Sequence, residues 1–569
     1  MLKGTSASPG VAMGNVLVVK KQQIEIAKKL IQDIEAEKKR LSDAVEKSKI
    51  QLNDVKEKAL GSMESDKAQI FEAHLMVLED PELIDASMKK IEAEKINAEY
   101  AIDSIENMYL AIFADMEDEY MKERAADIKD VCSRIKMNIL GIESTDLSAL
   151  DKEVIIVAHD LTPSDTATMG REKVLGFLTD VGGRTSHSAI MARTLQIPAV
   201  VGLKDITSRI NDNDYIIFNG ETGEVIINPS SEEIEKYKKL KSDYEQNIKA
   251  LGSFIDRETM TTDGRKVEIA ANIGTPKDVT AVLKNGAEGV GLYRTEFLYM
   301  DRSTMPTEEE QFEAYSEVLK SMSPRPVIIR TLDIGGDKKL PYLEIDEEMN
   351  PFLGLRAIRL CLDRKDIFKT QLRALLRASV YGNLRIMFPM ISNVSELLEA
   401  KSIIEEIKAE FDADDIPYSK DYQVGIMIEV PAAAMISDLL AKHVDFFSIG
   451  TNDLIQYTCA VDRMNEKISY LYNPFNPAVL RLIKLVIDNA HKAGKWVGMC
   501  GEAAGDVSLI PILLGMGLDE FSMSPISILP ARKTICSLNY DDMKNLIERI
   551  NDIETPEEIK AYTEKTINK

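Results

Sequence analysis

Val424-Gly-Ile-Met-Ile-Glu-Val-Pro431 and Asp445-Phe-Phe-Ser-Ile-Gly-Thr-Asn-Asp453 share one plan: a short β-rich run, a carboxylate just past its end, then a helical pattern. Working outward, the plan recurs. β-rich runs stand at 267–273, 289–293, 326–330, 384–388, 424–428, 445–449, 496–499 and 518–522, each followed by a helix-like stretch. Eight strand–helix units in about 300 residues are what a (β/α)8 barrel requires. A doubly wound sheet is the alternative, and it too binds ligands where its strands end.

The residues past those runs carry chemistry. The second ends in Arg294-Thr-Glu296, the third in Arg330-Thr-Leu-Asp333, the fifth in Glu429, the sixth in Asn452-Asp453 and the seventh in Cys500-Gly-Glu502. In a parallel barrel these ends meet on one face, where active sites sit. Guanidinium groups are forks for phosphate or carboxylate. Two carboxylates suit Mg²⁺, which completes its shell with substrate oxygens and water. The set therefore reads as a site for a small phosphorylated acid bridged by a divalent ion. Any one of these residues could instead form a structural salt bridge. Cys500 has two readings, a small buried hydrophobe or a thiol that protonates a carbanion or enolate at neutral pH.

The first half of the chain is organised differently. Between Gly14 and Gly141 only Gly61 and Pro81 break the pattern, so this stretch is expected to be helical. Ala27, Ile31, Ile34, Leu41, Val45, Leu52 and Val55 predict one long amphipathic helix ended by Gly61. Further helices are expected around 66–79, 82–111 and 114–140. Short β runs flank this block: Val16–Val19 before it, and Val154–Ala158, Val174–Leu178, Ala199–Val201, Tyr215–Phe218 and Val225–Ile227 after it. The expectation is an α/β domain of residues 1–20 plus 145–230, interrupted by a helical domain of 21–144. A linker helix at 231–256 and a barrel at 257–569 complete it.

Gly182-Gly-Arg-Thr-Ser-His187-Ser-Ala-Ile-Met-Ala-Arg193 follows one of these β runs. Ser186 or Ser188 can cap a helix beginning near Ala189. That places His187 at a helix N-terminus, which favours an added dianion, and imidazole is a competent nucleophile toward a phosphoryl group. His159 and His443 read as packing or surface residues, and His491 as structural.

This string, together with Ser448-Ile-Gly-Thr-Asn-Asp-Leu-Ile-Gln-Tyr457, Asn350-Pro-Phe-Leu-Gly-Leu-Arg356, Lys3-Gly-Thr-Ser-Ala-Ser-Pro-Gly10 and Ile70-Phe-Glu-Ala-His-Leu-Met-Val-Leu-Glu-Asp80, resembles the enzymes that use phosphoenolpyruvate to phosphorylate a histidine. Among them it is most similar to the Enzyme I family of bacterial sugar phosphotransferase systems. The resemblance implies a swivelling N-terminal phosphohistidine domain with a helical insertion, ahead of a TIM barrel. It implies His187 as the phosphorylated nucleophile and Thr166 as its hydroxyl partner. Arg294, Arg330, Arg356, Asn452, Asp453 and Arg463 would contact phosphoenolpyruvate. Glu429 and Asp453 would hold Mg²⁺, with Mn²⁺ as a substitute, and Cys500 would protonate the enolate to give pyruvate. The helical insertion would dock the carrier protein HPr through His74, Met76, Leu78, Glu82 and Arg124, and the barrel would form a homodimer. Leu355 stands where an aromatic often precedes the motif arginine, and Pro81 where the family has a polar residue.

Composition narrows the alternatives. The 569 residues carry 70 Lys and Arg against 94 Asp and Glu, a formal charge of −24. That argues against nucleic acid or an anionic membrane as the main partner, while a basic protein fits. Apolar runs are too short for a membrane span, and no signal peptide is evident. Five scattered cysteines without a CxxC point to a cytoplasmic protein lacking disulfides and structural zinc. No P-loop precedes the histidine string, so no nucleotide is expected.

Overall fold

The computed structural model describes residues 2–19, 26–62, 74–78, 80–114, 119–142, 150–161, 165, 169, 173–183, 186, 188–189, 192, 197–300, 302, 304–336, 340, 342–343, 346, 348–463, 465 and 467–567. His187, Thr166 and most of the helix expected at 66–79 lie outside them. The chain divides into two compact units, Met1–Asn247 and Ile248–Lys569.

In the first unit the described strands are β1 (Leu2–Lys3), β2 (Thr5–Ser8), β3 (Val11–Val19), β4 (Val154–Ala158), β5 (Val174–Thr179), β6 (Ala199–Val201), β7 (Tyr215–Asn219) and β8 (Glu224–Ile227). They form one sheet in the order β1-β8-β7-β3-β4-β5-β6-β2. β3 to β6 run parallel, with Val16 opposite Ile155 although the whole helical block separates them in sequence. β7 pairs antiparallel with β3 and puts Phe218 opposite Ala12. Two apolar layers cover the sheet, one around Ile156 and Phe177 and one around Ile155, Leu178 and Phe218.

The helices Ile34–Ser62, Pro81–Glu94, Ala98–Ala114 and Glu119–Leu140 bury Leu41, Leu52, Ile91, Ile102 and Ile135 among themselves. Two expectations need correction here. The first helix begins at Ile34, not near Ala27, because residues 27–31 are captured by the turn after Glu94. Asn97 donates through Nδ2 to the Ala27 carbonyl and accepts from Lys29 N. Ile31 N donates to the Lys95 carbonyl. The same turn divides the expected 82–111 helix in two, since Lys95 adopts φ +52° and cannot continue a right-handed helix. Pro81 opens its helix at the first position, capped by Asp80, whose carboxylate accepts from Glu82 N at 2.8 Å.

The second unit is a closed parallel barrel of β9 (Glu268–Ile273), β10 (Gly289–Arg294), β11 (Pro326–Arg330), β12 (Asn383–Phe388), β13 (Gln423–Ile428), β14 (Phe446–Ile449), β15 (Trp496–Met499) and β16 (Glu520–Met523). All eight coincide with the sequence-predicted runs to within two residues. β16 pairs with β9, which closes the cylinder and excludes the doubly wound alternative. One apolar core fills the space between strands and helices, from Ile269 and Ile329 through Phe388 and Phe447 to Phe521. Inside the cylinder stand Leu292, Ile328, Met387, Met427 and Phe446. Each fully buried Leu, Ile or Phe contributes roughly 1.5–3 kcal/mol, so the C-terminal strand ends are held by a rigid, packed wall.

Candidate active site at the C-terminal face of the barrel

Parallel register brings the two strand-end arginines side by side, with Arg294 of β10 and Arg330 of β11 as Cα partners. Their surroundings differ. Arg330 is buried, donating through Nη2 to Glu296 Oε1 at 2.6 Å while Nη1 lies 3.0 Å from Asp333 Oδ2. Burial works against its charge, but Glu296, Asp333 and Glu429 outweigh it and hold its pKa above the ordinary range. Arg294 is only half-buried and makes no ion pair or hydrogen bond through its guanidinium among the described residues.

Arg356 completes the basic wall from the loop after β11. Its Nε and Nη2 grip both oxygens of Asp333 at 2.9 and 3.1 Å, and Nη2 also reaches Asp453 Oδ2 at 2.8 Å. Nη1 donates to the Tyr457 hydroxyl at 3.1 Å, which itself donates to the Phe352 carbonyl. Asp333 thus serves two guanidinium groups and fixes both. Gly335, at φ +113°, makes room for this, because a Cβ there would meet Arg356 Cβ at 2.9 Å.

Glu429 and Asp453 face this basic wall, and both are buried. Glu429 Oε1 accepts from Met390 N at 2.6 Å, and the absence of a side chain at Gly450 leaves space for Oε2. Burial first, then the charges of Asp453 and Asp333, push the Glu429 carboxyl up to about 8, with Arg330 and Arg356 opposing. Asp453 Oδ1 is buried with no hydrogen-bond partner among the described residues. Two adjacent carboxylates, one mutually destabilised and one with an oxygen unused, fit a divalent cation. Among the described residues no three His, Cys, Asp or Glu side chains cluster as a metal site. Two protein carboxylates are what Mg²⁺ commonly takes, its other ligands coming from substrate and water.

Cys500, at the end of β15, is buried, and its N–H donates to the Ile449 carbonyl at 3.1 Å. Burial pushes its thiol up to about 11, so it carries its proton at neutral pH. Asn452 accepts from Glu502 N at 3.2 Å. Arg463 is half-buried with its charge near Tyr472, whose hydroxyl burial pushes up to about 12 and Arg463 draws back. Glu296, Asp333, Tyr457 and the Met390 amide received no role from sequence. For Asp333 a signal existed, an acid three residues after Arg330 at a strand end.

In the first unit, Gly182 takes φ +109°, and Ser186 Oγ accepts from Ala189 N at 3.4 Å, the cap expected beside His187. His187, Thr166 and the Arg124 side chain lie outside the described residues. His159 is exposed with Nδ1 3.1 Å from Asp180 Oδ2, and His491 stands 2.8 Å from Asp519. On the helical block Met76 and Glu82 are exposed. His74 and Leu78, expected on the same docking face, are instead buried. His74 packs with Nδ1 3.8 Å from Asp130 Oδ2. Helical periodicity identifies an apolar stripe without telling which part of it the neighbouring helices cover.

Three family models match successive parts of the chain. A PEP-binding domain of PEP-utilising enzymes matches residues 249–540, the N-terminal domain of those enzymes matches 3–124, and their mobile domain matches 150–223. The chain is 53% identical to a phosphoenolpyruvate-protein phosphotransferase of Priestia megaterium, covering all of this chain and 99% of that one. It is 55% identical to its counterpart in Bacillus subtilis (strain 168), covering 99% of both. A solution structure of an Enzyme I (nEIt) protein is 46% identical over 43% of this chain and 100% of that one, with a TM-score of 0.40. Full-length identity at this level, together with family models that span most of the chain, means that the chain belongs to the PEP-utilising enzymes and, within them, to the phosphoenolpyruvate-protein phosphotransferases, Enzyme I of the sugar phosphotransferase system.

Proposed function

We propose that the phosphoryl group of phosphoenolpyruvate passes to the ε nitrogen of His187 and from there to HPr, with pyruvate released. The observation that carries this reading is the convergence of Arg294, Arg330, Arg356, Glu429, Asp453 and Cys500 at one end of the barrel. The P–O bond to the enolate breaks as the P–N bond to His187 forms, through a loose transition state that needs positioning and neutralisation of charge. Arg330, fixed by Glu296 and Asp333, and Arg294, which has no competing partner among the described residues, hold the substrate's oxyanions. Asn452 and Arg463 complete the substrate contacts, and Arg356 anchors Asp453. Glu429 and Asp453 would hold Mg²⁺, which when bound would add to the neutralisation of the substrate's negative charge. Cys500, protonated at neutral pH, gives its proton to the methylene carbon as the enolate becomes pyruvate.

Thr166 orients His187 in this reading, and the first unit swivels so that one histidine serves donor and acceptor. Met76 and Glu82 offer HPr an exposed, partly acidic face that His74 and Leu78 support from beneath, and Arg124 takes part in the docking. A homodimer through the barrel and a cytoplasmic setting belong to the same proposal. No helix among the described residues is long and apolar enough to cross a membrane. The test is incubation with phosphoenolpyruvate and Mg²⁺, without nucleotide. Acid-labile phosphoprotein is expected from the native chain and none from Asp453→Ala. Normal labelling of that variant at limiting Mg²⁺, or a requirement for ATP, overturns the reading.

A further inference from the structure

The linker helix, Ser231–Gly252, is held at its two ends. Toward its start Tyr237 is buried with Val11, Met13, Ile217 and Ile226, and its hydroxyl donates to Glu224 Oε2 at 3.2 Å. Two turns on, Tyr244 lies against Gly10, where a Cβ would stand 3.7 Å from Tyr244 Cε1. Both tyrosines therefore bind the helix to the sheet of the first unit. Beyond them Glu245, Gln246, Lys249 and Ala250 are exposed, so they give the helix no buried face.

Past Gly252 the chain tightens into a turn, with Phe254 N donating to the Leu251 carbonyl, Ile255 N to Gly252 and Arg257 N to Phe254. Arg532, on the helix Ile528–Ser537, reaches into this turn and is 1% exposed. Its Nη1 donates to the carbonyls of Phe254 and Ile255, both at 2.8 Å, its Nη2 to the Gly286 carbonyl at 2.5 Å and its Nε to Thr259 Oγ1 at 2.9 Å. Cationic donors suit the carbonyl-rich end of a helix. Thr259 Oγ1 in turn donates to Glu288 Oε1 at 2.8 Å, and Glu288 Oε2 accepts from Ile269 N on β9 at 2.9 Å. One guanidinium thus ties the turn after the linker helix to the first two strands of the barrel. Gly286, at φ +69°, lets the turn come this close, because a Cβ there would stand 2.2 Å from the Ile255 oxygen. A fully buried arginine is uncommon, and this one is remote from the strand ends that carry the chemistry. Gly286 and Glu288 immediately precede β10, whereas Arg294 ends it, about 20 Å further along the strand.

We propose that Arg532 is a positioning residue for phosphoryl transfer: by clamping residues 254–259 to the barrel it makes that turn the pivot of the linker helix and fixes the direction in which the helix leaves it. The proposal rests on the reading that His187 takes the phosphoryl group at the barrel and carries it to HPr. The tyrosines make the helix travel with the first unit, so the joint lies at its other end. The 22 residues form a rod of about 33 Å, and a tilt of about 10° at the pivot moves its far end by about 6 Å. In-line transfer tolerates far less, since nucleophile and phosphorus must approach to about 3–3.5 Å. The hydrogen bonds of Arg532 therefore limit the swing to paths that bring His187 onto the phosphorus, although Arg532 touches no substrate.

The experiment is rapid-quench labelling of the full-length chain, once with phosphoenolpyruvate and Mg²⁺ and once with phospho-HPr, reading rate constant and amplitude in each. Arg532→Met removes the clamp and keeps an apolar stem in its place. Labelling by phosphoenolpyruvate should slow by at least about tenfold, with KM and amplitude within about twofold of native. Exchange with phospho-HPr, which needs only the first unit, should stay within about twofold. Thr259→Val removes the hydroxyl that joins Arg532 to Glu288 and should slow the same reaction by about threefold, which keeps the test decisive if Arg532→Met does not fold. Native rates with phosphoenolpyruvate in Thr259→Val and in any folded Arg532→Met overturn the proposal. A native rate with reduced amplitude also overturns it, since that is loss of folded protein, and so does equal slowing with both phosphoryl donors. A native chain that phosphoenolpyruvate does not label dismisses the underlying reading and the proposal with it, whereas a labelled native chain with unaffected variants dismisses the clamp alone.

Discussion

Gly501 follows the thiol at the end of β15, and a Cβ there would stand 1.8 Å from Thr451 Oγ1 and 2.7 Å from Thr451 N. The loop after β15 and the helix Thr451–Cys459 are in contact at that point, and Asn452 and Asp453 ride on the helix's first turn. Gly501→Ala must push them apart by a substantial part of an ångström. Displacements of that size in a positioned site cost on the order of a hundredfold in rate, so kcat should fall by about that factor without loss of the fold by circular dichroism. Cys500→Ala should leave phosphoenolpyruvate affinity intact and slow pyruvate formation by about 10²–10⁴-fold, measured by single-turnover quench. Alkylation offers a further check on the thiol. With its pKa pushed up to about 11, Cys500 of the native chain at pH 8 should react with iodoacetamide far more slowly than a free thiol. The strand-end residues were legible in the sequence because each stands directly past a β run, and closure of the barrel brings all its strand ends to one face. Tyr457 and the Met390 amide were not, since a main-chain donor has no signature and Met390 reaches Glu429 from a neighbouring loop at φ +57°.

The helix Glu308–Met322 shows how an element is fixed at its start. Thr307 Oγ1 accepts from Glu310 N at 3.2 Å, and Glu310 Oε2 accepts from Thr307 N at 2.7 Å while Oε1 takes Arg302. Thr307→Ala should destabilise the chain by about 1 kcal/mol, read from denaturant midpoints of the barrel transition. The Thr307 amide and Arg302 push the Glu310 carboxyl down to about 2 from 4.5. A group depressed on folding stabilises above its unfolded value and loses that effect as pH falls through the folded one. Glu310→Gln should therefore be less stable than the native chain at pH 7, with the gap closing between pH 4.5 and 2. Barrel strands were readable to within two residues because Gly, Pro and charged turns punctuate them. The break at Lys95 was not, since Lys and Glu favour helix and it is the contacts of Lys95 and Asn97 with residues 27–31, distant in sequence, that impose the turn.

At the scale of the molecule, the sheet-plus-helices unit and the barrel each bury their own core. A fragment of residues 1–247 should accept phosphate from phospho-HPr and stay inert to phosphoenolpyruvate. Labelling of that fragment by phosphoenolpyruvate would remove the barrel from the reaction. A folded fragment that cannot exchange with HPr would remove the helical insertion as the docking site. The order of strands in the first unit also bears on how the chain is made. β3 lies between β4 and β7, yet it leaves the ribosome before the whole helical block and well before either neighbour. At roughly 5–20 residues per second, its two hydrogen-bonding edges stay uncovered for many seconds, while the helices close on contacts near in sequence. Nascent chains halted between Val19 and Asn219 should therefore be found on chaperones, and those halted after Ile227 should not.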